Sequence, residues 1–538
     1  MLLAALPMLV PVVMLWLQRP TVIMGGDQAV DEMALMRAEH FAQLVGNYSR
    51  SPGALTGEQW SHPGPAWFYA MDPFYALSGS SSWGFAAAST LLHGIVAALI
   101  VAVAWRWGGA RLAVVASALL LVYVAVAGWS VFLPVWPPFS VMLPCALLLV
   151  LAALAAAGST PALVGAAIAG SYIAQLHVAT LPIAAVAVAT ALVLRVLPGR
   201  RLRSGPDAVE PRRRHLRRSG LLNAGGALVL VAMWVPAVID QVAGTHNLSR
   251  LLAYFTHSGN SHTWLDALSA VGRELEVFPL SHLPPVEFSG FSHVPLLRWG
   301  AIAGYLLLAT LLAVVALRAR DRFAATLGAV GAIAVPVLTY SLTRAPGPLY
   351  PYFIYWASLL PLAIVLGWIE FGLSVGPGLL RSRSWPAPRR VARGVVVVAG
   401  VAVVALAGLD TATLAANLGN GEATLSDPVA PGAWQVTETI LAAYRPQGVF
   451  FVIADGGDWP VAAALMDQLD KRGWRVSVES GWETVFGQSS APTGQERLEV
   501  VVGGSPSPGP DAPNARLVGD VLGTYIFVGA IQPGTPLP

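Results

Sequence analysis

The sequence predicts a polytopic α-helical membrane protein, with about 11 transmembrane helices, that carries a small α/β domain at its carboxyl-terminal end. Hydrophobic residues make up 55% of the 538 residues and charged residues only 11%, whereas a soluble domain would carry roughly a quarter charged residues. Eleven stretches are apolar enough to cross a bilayer, and the sequence after residue 410 changes to short strand-like and helix-like patterns. The chain therefore divides into a membrane part, residues 1–410, and a domain at residues 411–538.

The predicted spans each approach the roughly 20 apolar residues that a helix needs to cross the hydrocarbon core. The first one is short, but it has no basic n-region and no clear cleavage site before Gln18, which favours a retained span over a signal peptide. Gln175 and His177 interrupt the pair of spans at 161–196. The predicted spans are 1–17, 85–105, 112–129, 138–157, 161–175, 178–196, 221–239, 299–317, 323–342, 350–369 and 393–409.

The distribution of arginine predicts the orientation, because cytoplasmic loops are enriched in basic residues. Four alternate loops hold 19 of the 32 Lys and Arg residues, and the run at 195–218 is interpreted as a topology determinant against anionic lipid. This places the amino terminus in the cytoplasm, in a plasma (inner) membrane. The long loops 18–84 and 240–298 and the domain at 411–538 then face outward. The basic bias is almost entirely arginine, with Lys471 as the one lysine, and it does not indicate a nucleic-acid partner.

The carboxyl-terminal segment reads as a small α/β domain. Apolar runs at 448–455, 474–480, 497–504 and 525–531 predict buried strands, and an amphipathic helix ended by Gly473 lies between the first two. The turn ADGGDW after the first strand lacks the spacing of a dinucleotide-binding loop. The single cysteine, Cys145, excludes a disulfide framework and a cysteine zinc site.

Acidic residues follow the first span directly, in the sequence GGDQAVDEMALMRAEHF. Asp27, Asp31 and Glu32 share one side of a predicted helix because they are four and five residues apart. Grouped carboxylates at a membrane surface suit a general base that takes a proton from an acceptor hydroxyl, and they equally suit a divalent cation. The alternative is structural: Asp27 caps the helix and Glu32 is solvated.

Polar and aromatic residues follow in the same outer loop and at the outer ends of later spans. The aromatic stretch WFYAMDPFYAL predicts a helix that lies in the membrane interface, either as an anchor belt or as the wall of a substrate pocket. Gln175 and His177 need partners in an apolar run, from neighbouring helices or from a pocket. The candidate pocket residues are Tyr48, Arg50, His62, Trp67, Tyr69, Gln175, His177 and Tyr350.

Two outer arginines are candidates for binding a phosphate. Arg344 is isolated among apolar and aromatic residues, and a guanidinium binds phosphate oxygens bidentately; the alternative is that it only extends to the interface. Arg250, on a predicted helix, is the second candidate. Loop 240–298 also holds five of the ten histidines, but their spacing matches no zinc motif.

The order of these features resembles the GT-C superfamily of integral-membrane glycosyltransferases. The shared features are one span, a long outer loop with the early aspartate of GDQAVDE, a second large outer loop and an outer domain after the last span. HPGPAWFY, the Trp136–Pro138 turn, SYIAQLHVATLP and WVPAVIDQ…HNLSRLLAYF are similar to uncharacterised actinobacterial members. The polyprenyl-phosphate-sugar-dependent branch, labelled RgtA/B/C/D-like or family 39-like, is the most similar.

The resemblance implies transfer, with inversion, of a sugar from a polyprenyl-phosphate donor to an extracytoplasmic glycan, lipid or protein. It implies Asp27 as the base, Asp31 or Glu32 as a second carboxylate, and Arg344 or else Arg250 at the donor phosphate. The outer domain would bind the acceptor or a partner. Two other classes stay open, a lipid or glycan transporter (flippase) and a non-catalytic envelope-assembly protein, although no inverted repeat of the transporter type is visible.

Overall fold

The computed structural model describes residues 2–49, 60–197, 212–257, 261–280, 296–345, 349–381, 388–419, 425–507 and 515–531. Arg50, one of the predicted pocket residues, lies outside these ranges. Within them the membrane part is helical and the carboxyl-terminal part is a mixed α/β domain. The predicted fold class is thereby confirmed.

Membrane-crossing helices form most of the first part. Eight described helices are long and apolar enough to span a bilayer, and α1 and α8 are shorter apolar helices. The longest, α4, breaks at Gly109, where φ is 67° and ψ −162°, and it contains two of the predicted spans. These helices are α1 (Leu2–Gln18), α4 (Ser82–Ala127), α7 (Met142–Ala156), α8 (Thr160–Leu176), α9 (Leu181–Val196), α10 (Arg212–Ala243), α13 (Leu296–Arg318), α14 (Arg322–Thr343), α15 (Leu360–Arg381) and α16 (Pro388–Gly419).

Small residues let some of these helices approach closely. A Cβ added at Gly328 of α14 would lie 2.5 Å from the backbone nitrogen of Ala313 and 2.7 Å from the backbone oxygen of Ala309, both on α13. Backbone contact of this kind is common between membrane helices, where van der Waals packing replaces the hydrophobic effect. Gly328 is therefore required by the α13–α14 contact.

The loops between spans add further helices beside them. In the first loop, α2 (Gly26–Glu39) carries the acidic residues and α3 (Ala66–Leu77) is the predicted aromatic helix. Short helices α5 (Trp129–Phe132) and α6 (Pro137–Ser140) precede α7. The second loop contributes α11 (Asn247–His257) and α12 (Trp264–Leu280). Two 3₁₀ turns, Val178–Thr180 and Pro351–Phe353, lie at the ends of spans.

The start of α2 is also where the carboxyl-terminal part meets the membrane part. A Cβ on Gly25 would lie 2.7 Å from Cβ of Asp427, and Gly26 adopts a φ of +50° that favours glycine. The backbone N–H of Ile23 donates to Oγ of Ser426 over 3.1 Å. The two glycines therefore allow the segment after α16 to pack directly on the helix that carries Asp27.

The carboxyl-terminal domain is a five-stranded mixed sheet in the order β2-β1-β3-β5-β4. β1, β2 and β3 are parallel, and β5 is antiparallel to β3 and β4. All four predicted strands are present, and β4 was not predicted. The elements are α17 (Ala430–Ala443), β1 (Gly448–Ile453), α18 (Trp459–Asp470), β2 (Arg475–Val478), α19 (Glu483–Phe486), β3 (Glu496–Gly503), β4 (Arg516–Val521) and β5 (Thr524–Ala530).

Candidate active site

A cavity of about 870 Å³ lies between the membrane part and the carboxyl-terminal domain. Its wall combines the start of α2, the turn between α8 and α9, the ends of α11 and α14, and the start of α18. Aromatic side chains are the largest group in this wall. They are Tyr48, Trp60, Trp136, Tyr254, Phe255, Tyr340, Tyr350, Tyr352, Phe353 and Trp459.

Asp27 is the carboxylate that lines this cavity. It lies in the first turn of α2, where the helix dipole favours a negative charge. Nε1 of Trp136 donates a hydrogen bond to its Oδ2 over 2.8 Å, and the Tyr48 hydroxyl donates to its Oδ1. Burial raises the pKa of Asp27 above the usual value, Asp427 adds to the rise, and the two hydrogen bonds oppose it. Asp27 is thus a positioned carboxylate with an elevated proton affinity.

Asp31 lies one turn further along α2 and has a different environment. Its side chain is fully buried, and neither carboxyl oxygen has a hydrogen-bond partner among the described residues. Burial, with the nearby charge of Asp27, raises its pKa well above the usual value. Asp31 therefore has a raised proton affinity, and it is not among the residues that line the cavity.

Glu32 points to the carboxyl-terminal domain. Its Oε2 lies 2.6 Å from Nζ of Lys471, and the Tyr75 hydroxyl donates to its Oε1 over 3.1 Å. Lys471 also contacts Oδ2 of Asp467 at 2.8 Å and donates to Oγ of Ser82 over 2.7 Å. Although burial opposes it, the two carboxylates raise the pKa of Lys471. The structure thus places Glu32 in a buried ion cluster rather than in the cavity wall.

Two histidines form another part of the wall. The rings of His62 and His177 are 5.0 Å apart, and Nδ1 of His62 accepts a hydrogen bond from the backbone N–H of Val178 over 3.2 Å. Burial, with His177 nearby, lowers the pKa of His62 well below its usual range. A neutral imidazole at this position provides a hydrogen-bonding group without a charge.

The segment that carries His62 is held by a buried polar network. Asn247 accepts from the backbone N–H of Ser61 over 2.9 Å and donates to the Ser61 carbonyl, also over 2.9 Å. Asp240 in turn accepts from the backbone N–H of Asn247 over 3.0 Å. This network fixes the long loop between α1 and α4 to the start of α11, whose far end supplies Tyr254 to the cavity.

The predicted phosphate-binding arginines differ in position. Arg344 lines the cavity, donates to the Tyr340 hydroxyl over 3.2 Å and lies 5.8 Å from the centre of that ring. Arg250 is exposed on α11 and is not among the residues that line the cavity. The predicted pocket residue Tyr350 does line it and stacks on Tyr352 with ring centres 5.3 Å apart.

The remaining predicted pocket residues lie behind the wall. The Tyr69 hydroxyl donates to the Gln43 carbonyl over 2.9 Å, and Trp67 is buried in the core. Gln175 is fully buried and donates to the Met233 carbonyl over 3.1 Å. These residues support the cavity, whereas Tyr48, His62, His177 and Tyr350 line it.

The sequence did not single out three of the tryptophans in the cavity wall as site residues. Trp136 was noticed only as part of a turn, Trp60 precedes the HPGP turn, and Trp459 begins a helix of the other domain. A proline follows Trp136 and another follows Trp459, and each marks the start of a helix. That position at a helix start was the sequence signal that could have identified the two tryptophans.

The described residues contain no group of three or more His, Cys, Asp or Glu side chains that would hold a metal ion.

The fold and cavity define a polytopic membrane protein whose carboxyl-terminal domain closes an aromatic cavity with one lining carboxylate, Asp27, among the described residues. The structure is similar to the crystal structure of ArnT from Cupriavidus metallidurans in the apo state, with a TM-score of 0.53 and 17% sequence identity. The likeness covers 98% of this chain and 97% of that chain, so it includes both parts of the molecule. At this identity it shows a shared fold. No family model matches the sequence, and no curated protein matches it either.

Proposed function

We propose that this protein is a membrane glycosyltransferase that moves a sugar from a polyprenyl phosphate to an acceptor hydroxyl on the outer face of the membrane. The fold shared with ArnT over nearly the full chain supports this assignment, as does the sequence resemblance to the GT-C superfamily. The observation that carries it is Asp27, because this carboxylate lines the cavity and is held by Tyr48 and Trp136.

Asp27 acts as the general base in this proposal. It accepts the proton of the acceptor hydroxyl while the acceptor oxygen forms a bond to the anomeric carbon. The bond between the anomeric carbon and the phosphate oxygen breaks on the opposite side, and the polyprenyl phosphate leaves with that electron pair. A single displacement of this kind inverts the anomeric centre, and a positioned base contributes about 10²–10⁴-fold to such a step.

Arg344 stabilises the leaving phosphate. The charge on the phosphate grows as the glycosidic bond breaks, and a preorganised cation lowers the energy of that transition state. Arg344 and Asp27 line the same cavity, which provides a cation for the leaving group and a base for the acceptor. No step requires a bound cation in addition.

The donor enters from the membrane side of the cavity. Leu181 and Pro182 begin α9, and Leu338 and Leu342 lie near the outer end of α14. These apolar residues suit the polyprenyl chain, which stays in the bilayer because its transfer to water is unfavourable. The phosphate and sugar then reach the polar part of the cavity at the level of Arg344.

The test is sugar transfer in membranes that contain the wild type, Asp27→Asn or Arg344→Ala, with Asp520→Asn as an exposed acid control. Radiolabelled polyprenyl-phosphate mannose and arabinofuranose serve as donors. Asp27→Asn is expected to abolish transfer at an equal protein level, Arg344→Ala to reduce it strongly, and Asp520→Asn to retain it. Equal transfer by Asp27→Asn would remove the base from the proposal. No transfer by the wild type with any donor would favour the transporter or assembly classes.

A further inference from the structure

We propose that the carboxyl-terminal domain supplies the acceptor subsite: Trp459 contacts a sugar ring of the acceptor, and Lys471 is a positioning residue that holds Trp459 beside Asp27. The inference rests on the proposed glycosyltransferase function and makes it more specific. It assigns a carbohydrate as the acceptor and gives the outer domain a direct part in the reaction.

Trp459 lies next to the proposed base. It is the first residue of α18 and lines the cavity together with Pro460. Its ring is 6.0 Å from that of Tyr48 in an edge-on arrangement, and Tyr48 donates a hydrogen bond to Asp27. A Cβ on Gly26 would lie only 3.7 Å from Cη2 of Trp459. The indole thus lies near Gly26, the residue before Asp27, and near Tyr48, which donates to the Asp27 carboxylate.

The position of this indole favours the acceptor over the donor. The donor lipid must come from the bilayer, where the ends of α9 and α14 line the cavity, whereas Trp459 belongs to the outer domain. The base takes its proton from the acceptor, so the acceptor is the substrate that binds beside Asp27. Aromatic rings bury a large apolar surface, and the C–H face of a sugar ring provides a flat apolar partner for it.

Lys471 fixes α18 to α2 from the other end of the helix. It follows the last residue of α18, and its ammonium lies 2.6 Å from Glu32 of α2 and 2.8 Å from Asp467 of α18. Glu32 is five residues beyond Asp27 on the same helix. The two helices that begin at the cavity with Asp27 and Trp459 are therefore joined by one largely buried cation.

A second contact supports the same alignment. Nη1 of Arg37, further along α2, donates to the backbone carbonyl of Phe486 over 3.0 Å, and Nε of Arg37 donates to Gln43 over 2.8 Å.

Removing one partner of a buried pair leaves an uncompensated charge. Loss of Lys471 is therefore expected to shift α18 relative to α2 and to move Trp459 away from the base.

The experiment measures initial rates with the full chain in lipid nanodiscs. The donors are decaprenyl-phosphate mannose and decaprenyl-phosphate arabinofuranose, and the acceptors are n-octyl α-mannopyranoside and n-octyl α-arabinofuranoside. The variants are Trp459→Ala, Trp459→Phe, Lys471→Met and Lys471→Arg. Matched controls come from the same domain: Trp434→Ala, on α17, and Arg472→Met, whose ion-pair partner is the exposed Glu438 at 3.3 Å.

Trp459→Ala is expected to raise the KM for the acceptor roughly 10-fold and to leave the KM for the donor unchanged, with Trp459→Phe intermediate. Lys471→Met is expected to raise the same KM and to lower kcat, and Lys471→Arg to restore most of both. The controls are expected to match the wild type. Trp459→Ala leaves the ion pairs of Lys471 with Glu32 and Asp467 intact. It therefore tests the contact between Trp459 and the acceptor even where Lys471→Met fails to fold.

Two results would overturn the inference while leaving the glycosyltransferase assignment in place. One is an acceptor KM that Trp459→Ala does not change, and the other is a donor KM that rises as much as the acceptor KM. If the wild type transfers sugar with none of these donor and acceptor pairs, the proposed function itself fails, and the acceptor subsite fails with it.

Discussion

Replacing Trp136 by phenylalanine is expected to move the acid limb of the pH–activity profile upward by about one to two pH units. The indole N–H donates to Oδ2 of Asp27 over 2.8 Å, and a hydrogen bond to an ionised group contributes about 1.5–3 kcal/mol. Its loss disfavours the carboxylate relative to the acid, and one pKa unit corresponds to about 1.4 kcal/mol. The pKa of Asp27 therefore rises by about one to two units beyond the elevation that burial already causes.

The assay is kcat/KM against pH, over about pH 5 to 9, because this profile reports the pKa of the base in the free enzyme. Phenylalanine retains a ring against Phe139 and Tyr352, whose centres lie 5.1 and 4.9 Å from that of Trp136. Trp60→Phe is the matched control, since that indole packs on His62 and Tyr254, and its acid limb should not move. Equal loss of activity at every pH, with an unmoved limb, would show that Trp136 only packs.

Two further predictions concern stability. Gly328→Ala is expected to lower the Tm in nanodiscs, because its Cβ would meet backbone atoms of α13 and overpacking costs about 1–3 kcal/mol. Gly304→Ala, whose added Cβ would meet no heavy atom within 4 Å outside its own helix backbone, is the control and should not lower the Tm; equal Tm values for the two variants would contradict the close contact. Burial, only partly offset by Lys471, raises the pKa of Asp467 to about 7, so the folded protein holds a proton that the unfolded chain releases near pH 4. Stability should then fall as pH rises from about 4 to about 7, and a Tm of Asp467→Asn with the same slope as the wild type would refute this.

The spans and most strands of the carboxyl-terminal domain could be predicted because they depend on local composition. Roughly 20 apolar residues identify a membrane helix wherever it packs, and the arginines around Gly109 separate two spans that the structure joins in one broken helix. β4 was missed because its sequence, RLVGDV, contains charged residues and has no continuous apolar run. Its pairing with β5 depends on the neighbouring strand rather than on its own composition.

The predicted site residues that line the cavity, such as Asp27, His177 and Arg344, stand out as polar groups beside apolar spans, whereas their contacts with one another could be predicted only within one loop. Asp27 and Tyr48 belong to one loop, and the structure joins them by a hydrogen bond. The sequence gives no indication that Glu32 meets Lys471, because the amphipathic pattern of α18 shows that one face is buried but not what covers it. Trp459 escaped notice for the same reason, and its role in the cavity depends entirely on how the two parts pack.

The joining of α2 to α18 has a consequence for biosynthesis. Asp27 leaves the ribosome early, whereas Trp459 and Lys471 follow only after the last membrane helix, which ends at Gly419. A nascent or truncated chain that has inserted all its spans therefore holds the carboxylate but not the outer wall of its cavity. The cavity is therefore complete only after the carboxyl-terminal domain has been synthesised and Lys471 has reached the carboxylate of Glu32, which was made much earlier with the loop after α1.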